Sequence, residues 1–474
     1  MPGEQMNVVA LATERKTARF GVMLLIALVS FVATLDNTII TVALPSAAKQ
    51  LRLGPGEMAW VGISYMLAFA GFLLVAGTVV DRCGQRGSLL IGLTVFGLAA
   101  AAGGVATSAG WLIAARAVQG TAAAVVMPAT LSVIRTALPE RARDTAAAVW
   151  TAALAAALAL GPLLGGALTQ YLRWNWVLFV NIPFAVAGIL LTLTYIAEHR
   201  AGARRAIDWR GAVLATTVAV SVVASLVGTA GSMPGTVIAI FAVVALLAGA
   251  LLVAVERRVA TPLVPLALLR ERPFRASIVI QLFWGLGVSG IFFFTPLFLQ
   301  DVVGLSPAGS GLPLLAAAVA VAAGTPFVAR STRRFGVAIA AGCGLVTVAI
   351  GLVVLALPGV HPATLWLLPG LLLIGLGSAF TTPLTTTALT VANADNAGIA
   401  SGVLSAGREL SSALGVALMG AVVSLWRASA QASGDSGAAS LAHGFLAALV
   451  VAAVLEMIAA GLTFSLFRDR GRQR

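Results

Sequence analysis

The sequence predicts an all-α polytopic membrane protein, and three observations carry that prediction. Of 474 residues, 59% are hydrophobic and only 10% are charged. Apolar runs of about 18 residues or more recur along the whole chain, each long enough for a transmembrane helix. The runs are continuous blocks without dyad alternation, which excludes a transmembrane β-barrel.

Several function classes fall away at once. The only lysines, Lys16 and Lys49, do not follow glycine, so the chain has no phosphate-binding G-x-x-x-x-G-K-[ST] loop. It has no G-x-S-x-G nucleophile elbow either, and an enzyme is not expected. Cys83 and Cys343 are too few for a disulfide framework. His199, His361 and His443 fall in predicted loops, so neither a metal cluster nor a cofactor is expected. Arg15, Lys16 and Arg19 precede the first apolar run as in a signal peptide. That run continues through Asp36 to Leu44, however, and reads as an uncleaved span.

Fourteen spans follow in order: 19–44, 58–80, 88–108, 111–136, 145–170, 177–197, 210–229, 234–255, 275–301, 308–329, 336–357, 364–391, 397–425 and 444–467. One set of alternate loops, with both tails, holds 24 of the 30 Lys and Arg residues. The opposite set holds four, Lys49, Arg52, Arg173 and Arg427, and Arg116 and Arg408 lie within spans. This asymmetry places both termini in the cytoplasm. The net charge of +13 is thus a topology signal with a weak attraction for lipid headgroups, and nucleic acid is not an expected partner. Trp60, Trp111, Trp174, Trp176, Trp209, Trp366 and Trp426 fall near predicted interfaces, whereas Trp150 and Trp284 lie inside spans 5 and 9.

The chain also repeats itself. A shift of 255 residues lays Gly120 on Gly375, Pro128 on Pro383, Thr130 on Thr385, Glu140 on Asp395 and Gly165 on Gly420. Two six-helix units are expected, as in many secondary transporters. Spans 7 and 8 have no repeat partner and read as an inserted hairpin. The predicted organisation is a cytoplasmic tail (1–18), a six-helix bundle (19–200), the hairpin (201–260), a second bundle (261–467) and a cytoplasmic tail (468–474).

Polar residues inside the spans are the candidate functional groups. Sixteen uncharged residues, Phe20 to Leu35, precede Asp36. A carboxylate so placed costs upwards of about 2.5–3.5 kcal/mol at a helix centre. Span 4 carries "RAVQG", with Arg116 and Gln119. Arg116 either snorkels toward the outer interface or forms a fixed cation, and Asp36 lies at a comparable depth. After span 2 comes "GTVVDRCGQR", where Gly77 permits close packing, Asp81 accepts hydrogen bonds, Gly84 makes a tight turn, and Arg82 and Arg86 hold the inner face. Span 5 carries "LGPLLGG", in which Gly161, Pro162, Gly165 and Gly166 set a bent, close helix interface. Span 13 carries the adjacent pair Arg408 and Glu409, which project about 100° apart. Glu456 in span 14 reads as a structural partner or a contact residue. Tyr65, Met66, Gln119, Met127, Trp150, Trp284, Phe292, Phe293, Phe294 and Arg408 are candidates for a cavity wall, with helix-on-helix packing as the alternative for the rings.

"LDNTIITVALP", "GTVVDRCGQR", "RAVQG" and "LGPLLGG", in this order and spacing, resemble the major facilitator superfamily, and within it the fourteen-span drug:proton antiporter family. The resemblance spans essentially the whole chain. It implies the major facilitator fold, two six-helix bundles plus an inserted hairpin, in the bacterial cytoplasmic membrane. It further implies export of lipophilic compounds or antibiotics by alternating access, driven by the proton gradient, from a monomer. Proton coupling falls by this resemblance on Asp36 and Arg116, and the in/out switch on the loop motif and the glycines of span 5. Aromatic faces with Glu409 suit lipophilic cations. The chain departs from the pattern in two places. Arg333 stands in "ARSTRRFG" where an Asp is expected, and Glu409 replaces a Gln, adding a site for a second proton or a cationic substrate. A proton-coupled importer or exporter of one metabolite on the same fold is the alternative reading.

Overall fold

The computed structural model describes residues 2–198, 209–229, 233–259, 266–359, 363–391 and 397–467. Among these there are helices and no strands. The first bundle is built from α1 (Pro2–Leu51), α2 (Pro55–Gly104), α3 (Ala109–Thr136), α4 (Glu140–Tyr171), the short α5 (Trp176–Phe179) and α6 (Asn181–Tyr195). Then come α7 (Trp209–Val227), α8 (Gly235–Glu256) and the short α9 (Leu266–Arg270). The second bundle comprises α10 (Arg272–Asp301), α11 (Pro307–Ala356), α12 (Thr364–Ala379), α13 (Thr382–Leu389), α14 (Ala397–Ala432) and α15 (Gly437–Phe467).

Thirteen helices among the described residues are long and apolar enough to cross a bilayer. One of them is the 50-residue α11. At 1.5 Å per residue it would reach about 75 Å, over twice the apolar thickness of a bilayer. Gly336, with φ 81° and ψ 168°, interrupts it. Divided there, α11 supplies spans 10 and 11. Gly84 divides the equally long α2 at φ 71° and ψ 158°. Both glycines occupy the left-handed half of the map, where a Cβ is disfavoured, so Gly84 does make the expected turn. Helix α1 begins at Pro2, well upstream of the expected start of span 1. His443 lies within α15 rather than in a loop, and donates from Nδ1 to Asp435 at 2.8 Å if that nitrogen carries the proton. His199 and His361 fall outside the described residues.

The repeat is visible in the packing. Gly120 on α3 lies so close to the Tyr65 backbone on α2 that a Cβ would fall on its carbonyl oxygen. Gly375 on α12 meets the Ala317 backbone on α11 in the same way. Gly165 rests on Ile39, and its repeat partner Gly420 on Phe294, again 255 residues apart. Helices α7 and α8 pack on each other. Helix α7 also touches α2 and α14, one from each bundle. Helix α8 buries only Ala245, Ala248 and Glu256, as suits a helix surrounded by lipid.

The bundles meet tightly at one end, where α1 and α10 finish and α11 begins. Lys49 pairs with Asp301 at 2.8 Å, Gln300 Nε2 donates to the Val42 carbonyl at 2.9 Å, and the Ala308 amide donates to Gln170 Oε1 at 3.1 Å. Below these, Gly166 on α4 abuts Pro307 and Ala308, and Gly311 on α11 abuts Pro162. Away from that end the contact between α4 and α11 thins. On α4 the face bearing Pro162, Gly166 and Thr169 is buried, but its continuation through Thr151 and Leu158 is exposed. Toward the end carrying Gly84 and Gly336, Leu73 and Ala124 of the first bundle still pack on Ala406 of α14.

Because the atoms facing Gly120 and Gly375 are backbone, they cannot rotate away. Gly120→Val and Gly375→Val are each expected to cost about 1–3 kcal/mol. Both should lower the thermal unfolding midpoint in detergent, whereas Gly402→Ala, whose Cβ meets open space, should not.

Candidate functional site

The site begins with helix periodicity. On α1 the residues Val29, Val32, Asp36, Ile39, Ile40 and Ala43 recur at three- to four-residue spacing and are all buried, so Asp36 lies on the core face. On α3 Arg116 and Gln119 are three residues apart and share a face that also carries Leu112 and Gly120. The close approach at Gly120 brings that face against α2. Asn181 opens α6 at the junction with α5.

These elements bring four polar side chains together, each fully buried. Arg116 Nη1 donates a short hydrogen bond to Asp36 Oδ2. Asp36 Oδ1 accepts from Asn181 Nδ2 at 2.6 Å and from Gln119 Nε2 at 3.1 Å. Arg116 Nη1 also donates to Gln119 Oε1 at 3.0 Å. The Tyr65 ring lies 4.5 Å from the guanidinium carbon, a cation–π contact, and its hydroxyl donates to the Ala33 carbonyl at 3.0 Å. Arg116 does not snorkel; it is the fixed cation. The carboxylate is well supplied with donors, while Arg116 Nε and Nη2 have no protein acceptor. Asp36 is thus the one negative charge compensating a buried guanidinium.

Asn181 was missed in the sequence. Its signal is that it is the only hydrogen-bonding amide in "WVLFVNIPFAVAGILL". Tyr65 and Gln119, expected as cavity wall, belong to this closed cluster instead. Both are held by hydrogen bonds that leave them no open face.

The other expected residues are dispersed. Glu409 is not a partner of Asp36. Its carboxylate lies 3.5 Å from Arg408 and is 17% exposed. Arg408 is 60% exposed. Phe293 is buried, its ring filling the space beside Gly62 on α2, so it packs one bundle on the other rather than lining an open wall. It meets Phe294 edge-on at 5.2 Å. Phe292 is half-buried beside them. Trp150 packs on the cluster of Val133 and Ile134, and Trp284 on that of Ile280 and Leu345. Both indole N–H groups are buried without an acceptor. Met66 is buried, and Met127 is half-buried beside Tyr65 and Phe96.

The span 5 glycines form the close interface expected of them. A side chain at Gly161 would strike Thr38, and one at Gly165 the Ile39 carbonyl. Pro162 and Gly166 carry the contact to α11. In the loop motif, Arg86 Nη2 donates to the Leu193 carbonyl at 3.4 Å, and Arg82 is exposed and engaged. Among the described residues nothing lies within 4 Å of where a Gly77 side chain would stand, so they do not pack closely on it in this conformation. The Asp81 side chain lies outside the described part of the structure. Glu456 is buried and among the described residues neither oxygen has a hydrogen-bond partner; of its two expected readings it is thus a contact residue, against Gly287, and not a structural partner.

The Major Facilitator Superfamily model matches residues 26–416. The chain belongs to the major facilitator superfamily. Its curated relatives include the multidrug resistance protein Stp of Mycobacterium tuberculosis, 34% identical over 84% of this chain and 74% of that protein. The puromycin resistance protein pur8 of Streptomyces alboniger is 31% identical over 92% of this chain and 89% of its own length. The multidrug efflux pump LfrA of Mycolicibacterium smegmatis is 30% identical over 86% and 82%. Among solved structures, a bacterial homolog of the human lysosomal transporter Spinster, inward-facing and unoccupied, superposes with a TM-score of 0.66 at 16% identity, covering 95% of this chain and 97% of that one. The nucleoside transporter NupG gives 0.65 at 12% identity, over 95% and 100%. As a member of the major facilitator superfamily the chain is a multi-pass membrane transporter, not an enzyme.

Removing one partner of a buried ion pair strands the other. Arg116→Leu is expected to cost about 3–5 kcal/mol, and the double variant Asp36→Leu/Arg116→Leu to recover most of that loss. Thermal midpoints in detergent of the wild type, Asp36→Leu, Arg116→Leu and the double variant measure the coupling.

Proposed function

We propose that this transporter is a proton-coupled exporter of lipophilic, cationic compounds, working by alternating access in the bacterial cytoplasmic membrane. The observation that carries the reading is the buried cluster of Asp36, Arg116, Gln119 and Asn181. Curated relatives that are multidrug pumps and antibiotic-resistance proteins support the export direction and the substrate class.

By the distribution of Lys and Arg, the tightly joined end faces outward and both termini lie in the cytoplasm. Protonation of Asp36 removes the compensating charge and leaves a guanidinium stranded in the bundle. A stranded charge destabilises its surroundings by several kcal/mol. That is enough to shift a two-state equilibrium toward the conformation in which Arg116 finds another acceptor or water. Deprotonation toward the cytoplasm restores the pair. Glu409 and the exposed faces of the inner half supply the attraction for a lipophilic cation.

Asp36→Asn mimics the protonated acid permanently. In inverted vesicles with an imposed pH gradient, this variant should lose uphill accumulation of ethidium by at least about tenfold, since each ~1.4 kcal/mol is a factor of ten. Accumulation at the wild-type level would refute the coupling role. Glu409→Gln should weaken ethidium transport while sparing a neutral substrate such as puromycin; equal loss of both would remove Glu409 as the cation site.

A further inference from the structure

We propose that Glu456 is a second proton-binding site of the transport cycle, occluded inside the C-terminal bundle in this conformation. The inference rests on the proton-coupled reading above and adds a group to it.

Glu456 is 0% exposed, midway along α15, and neither carboxyl oxygen has a hydrogen-bond partner. It lies against α10 at Gly287, where a side chain would strike Glu456 Oε1 and crowd the Ala452 carbonyl. The helices packed on α15 are α10, α11 and α14. Their charged residues are Arg272, Arg275 and Asp301 on α10, Arg330, Arg333 and Arg334 on α11, and Arg408, Glu409 and Arg427 on α14. Among the described residues, none of these hydrogen-bonds to either Glu456 oxygen. On its own helix the buried positions a turn to either side are Ala452, Ala453, Ala459 and Ala460. An ionised carboxylate cannot be held there without a partner, so the group is present as the neutral acid.

A structural role accounts poorly for this residue. It makes no bond, and a leucine would occupy the same space without desolvating a polar group. An intramembrane carboxyl with no structural task is by default a functional one.

The internal repeat supplies a second, independent observation. In the first half the contact between α1 and α6 holds Asp36 against Asn181. The equivalent contact in the second half is that between α10 and α15, which holds Gly287 against Glu456. At the 255-residue shift that aligns Gly165 on Ile39 with Gly420 on Phe294, Asp36 corresponds to Ile291. Gly287 lies four residues before Ile291, one helical turn away. The second half therefore carries a carboxyl at nearly the pseudo-symmetric place, attached to the other helix of the pair. Movement of α15 against α10 would expose it to one side or the other. Its O–H bond then breaks toward water, and a proton from the opposite side reforms it.

Two readouts test the proposal. In membranes of the purified protein, the infrared carbonyl band of a neutral carboxylic acid should be present in the wild type and lost in Glu456→Gln. In proteoliposomes, the number of protons moved per ethidium should fall by one in that variant, read from the pH gradient that just halts net flux. Glu456→Leu guards against a folding defect, because removing a partnerless polar group should leave the unfolding midpoint at or above wild type. An unchanged band, or an unchanged proton count in a folded Glu456→Leu protein, overturns the proposal. A wild type that moves no protons overturns it together with the proton-coupled reading, whereas a coupled wild type matched by Glu456→Leu overturns it alone.

Discussion

A guanidinium held out of water with one carboxylate to answer it is the constraint on which the rest of the molecule depends. Arg116 and Asp36 come from different helices, and neither is tolerable in the bundle without the other. Meeting at that distance requires α3 to press on α2, which Gly120 allows, and α1 to seat on α4, which Gly161 and Gly165 allow. Gln119 and Asn181 then fix the orientation of the carboxylate from two further directions. The small residues of the first bundle thus serve electrostatics as much as packing. They let backbones approach until a costly pair can close.

The second half has the same framework with different contents. At the repeat shift, Arg116 and Gln119 correspond to Leu371 and Ile374, and Asp36 to Ile291, all buried. Hydrocarbon stands where the first half holds its charges. Such a replacement keeps the bundle packed and removes the need for pairing. The two halves therefore contribute unequally, with the first carrying a charged latch and the second an apolar counterpart around Glu456.

Much of this was legible in the chain because membrane helices obey strong rules. The apolar runs gave the spans, and the shift of 255 residues gave glycine contacts that recur in space. Asp36 and Arg116 could be set at one depth by counting residues from Pro45 and Trp111. Whether they meet depends on helix rotation, which counting leaves open, and Asn181 was hidden because an amide carries no charge to draw notice. The aromatic residues misled for a related reason. A ring in a span reads alike whether it faces a cavity or a neighbouring helix, and Phe293 lies against the notch at Gly62. Glu456 shows the opposite limit, since composition suggests a partner that the packing withholds.

The hairpin of α7 and α8 breaks the likeness between the two sides of the molecule. Two lateral seams separate the bundles. One runs between α2 and α14, and α7 lies across it, touching both. The other runs between α4 and α11, where Leu158 and Leu160 of α4 and Val319 and Phe327 of α11 remain exposed. Pseudo-symmetry alone would make these seams equivalent doors. With α7 across one of them and α8 packed on α7, the two seams are no longer alike, and the transporter acquires a front and a back within the plane of the bilayer.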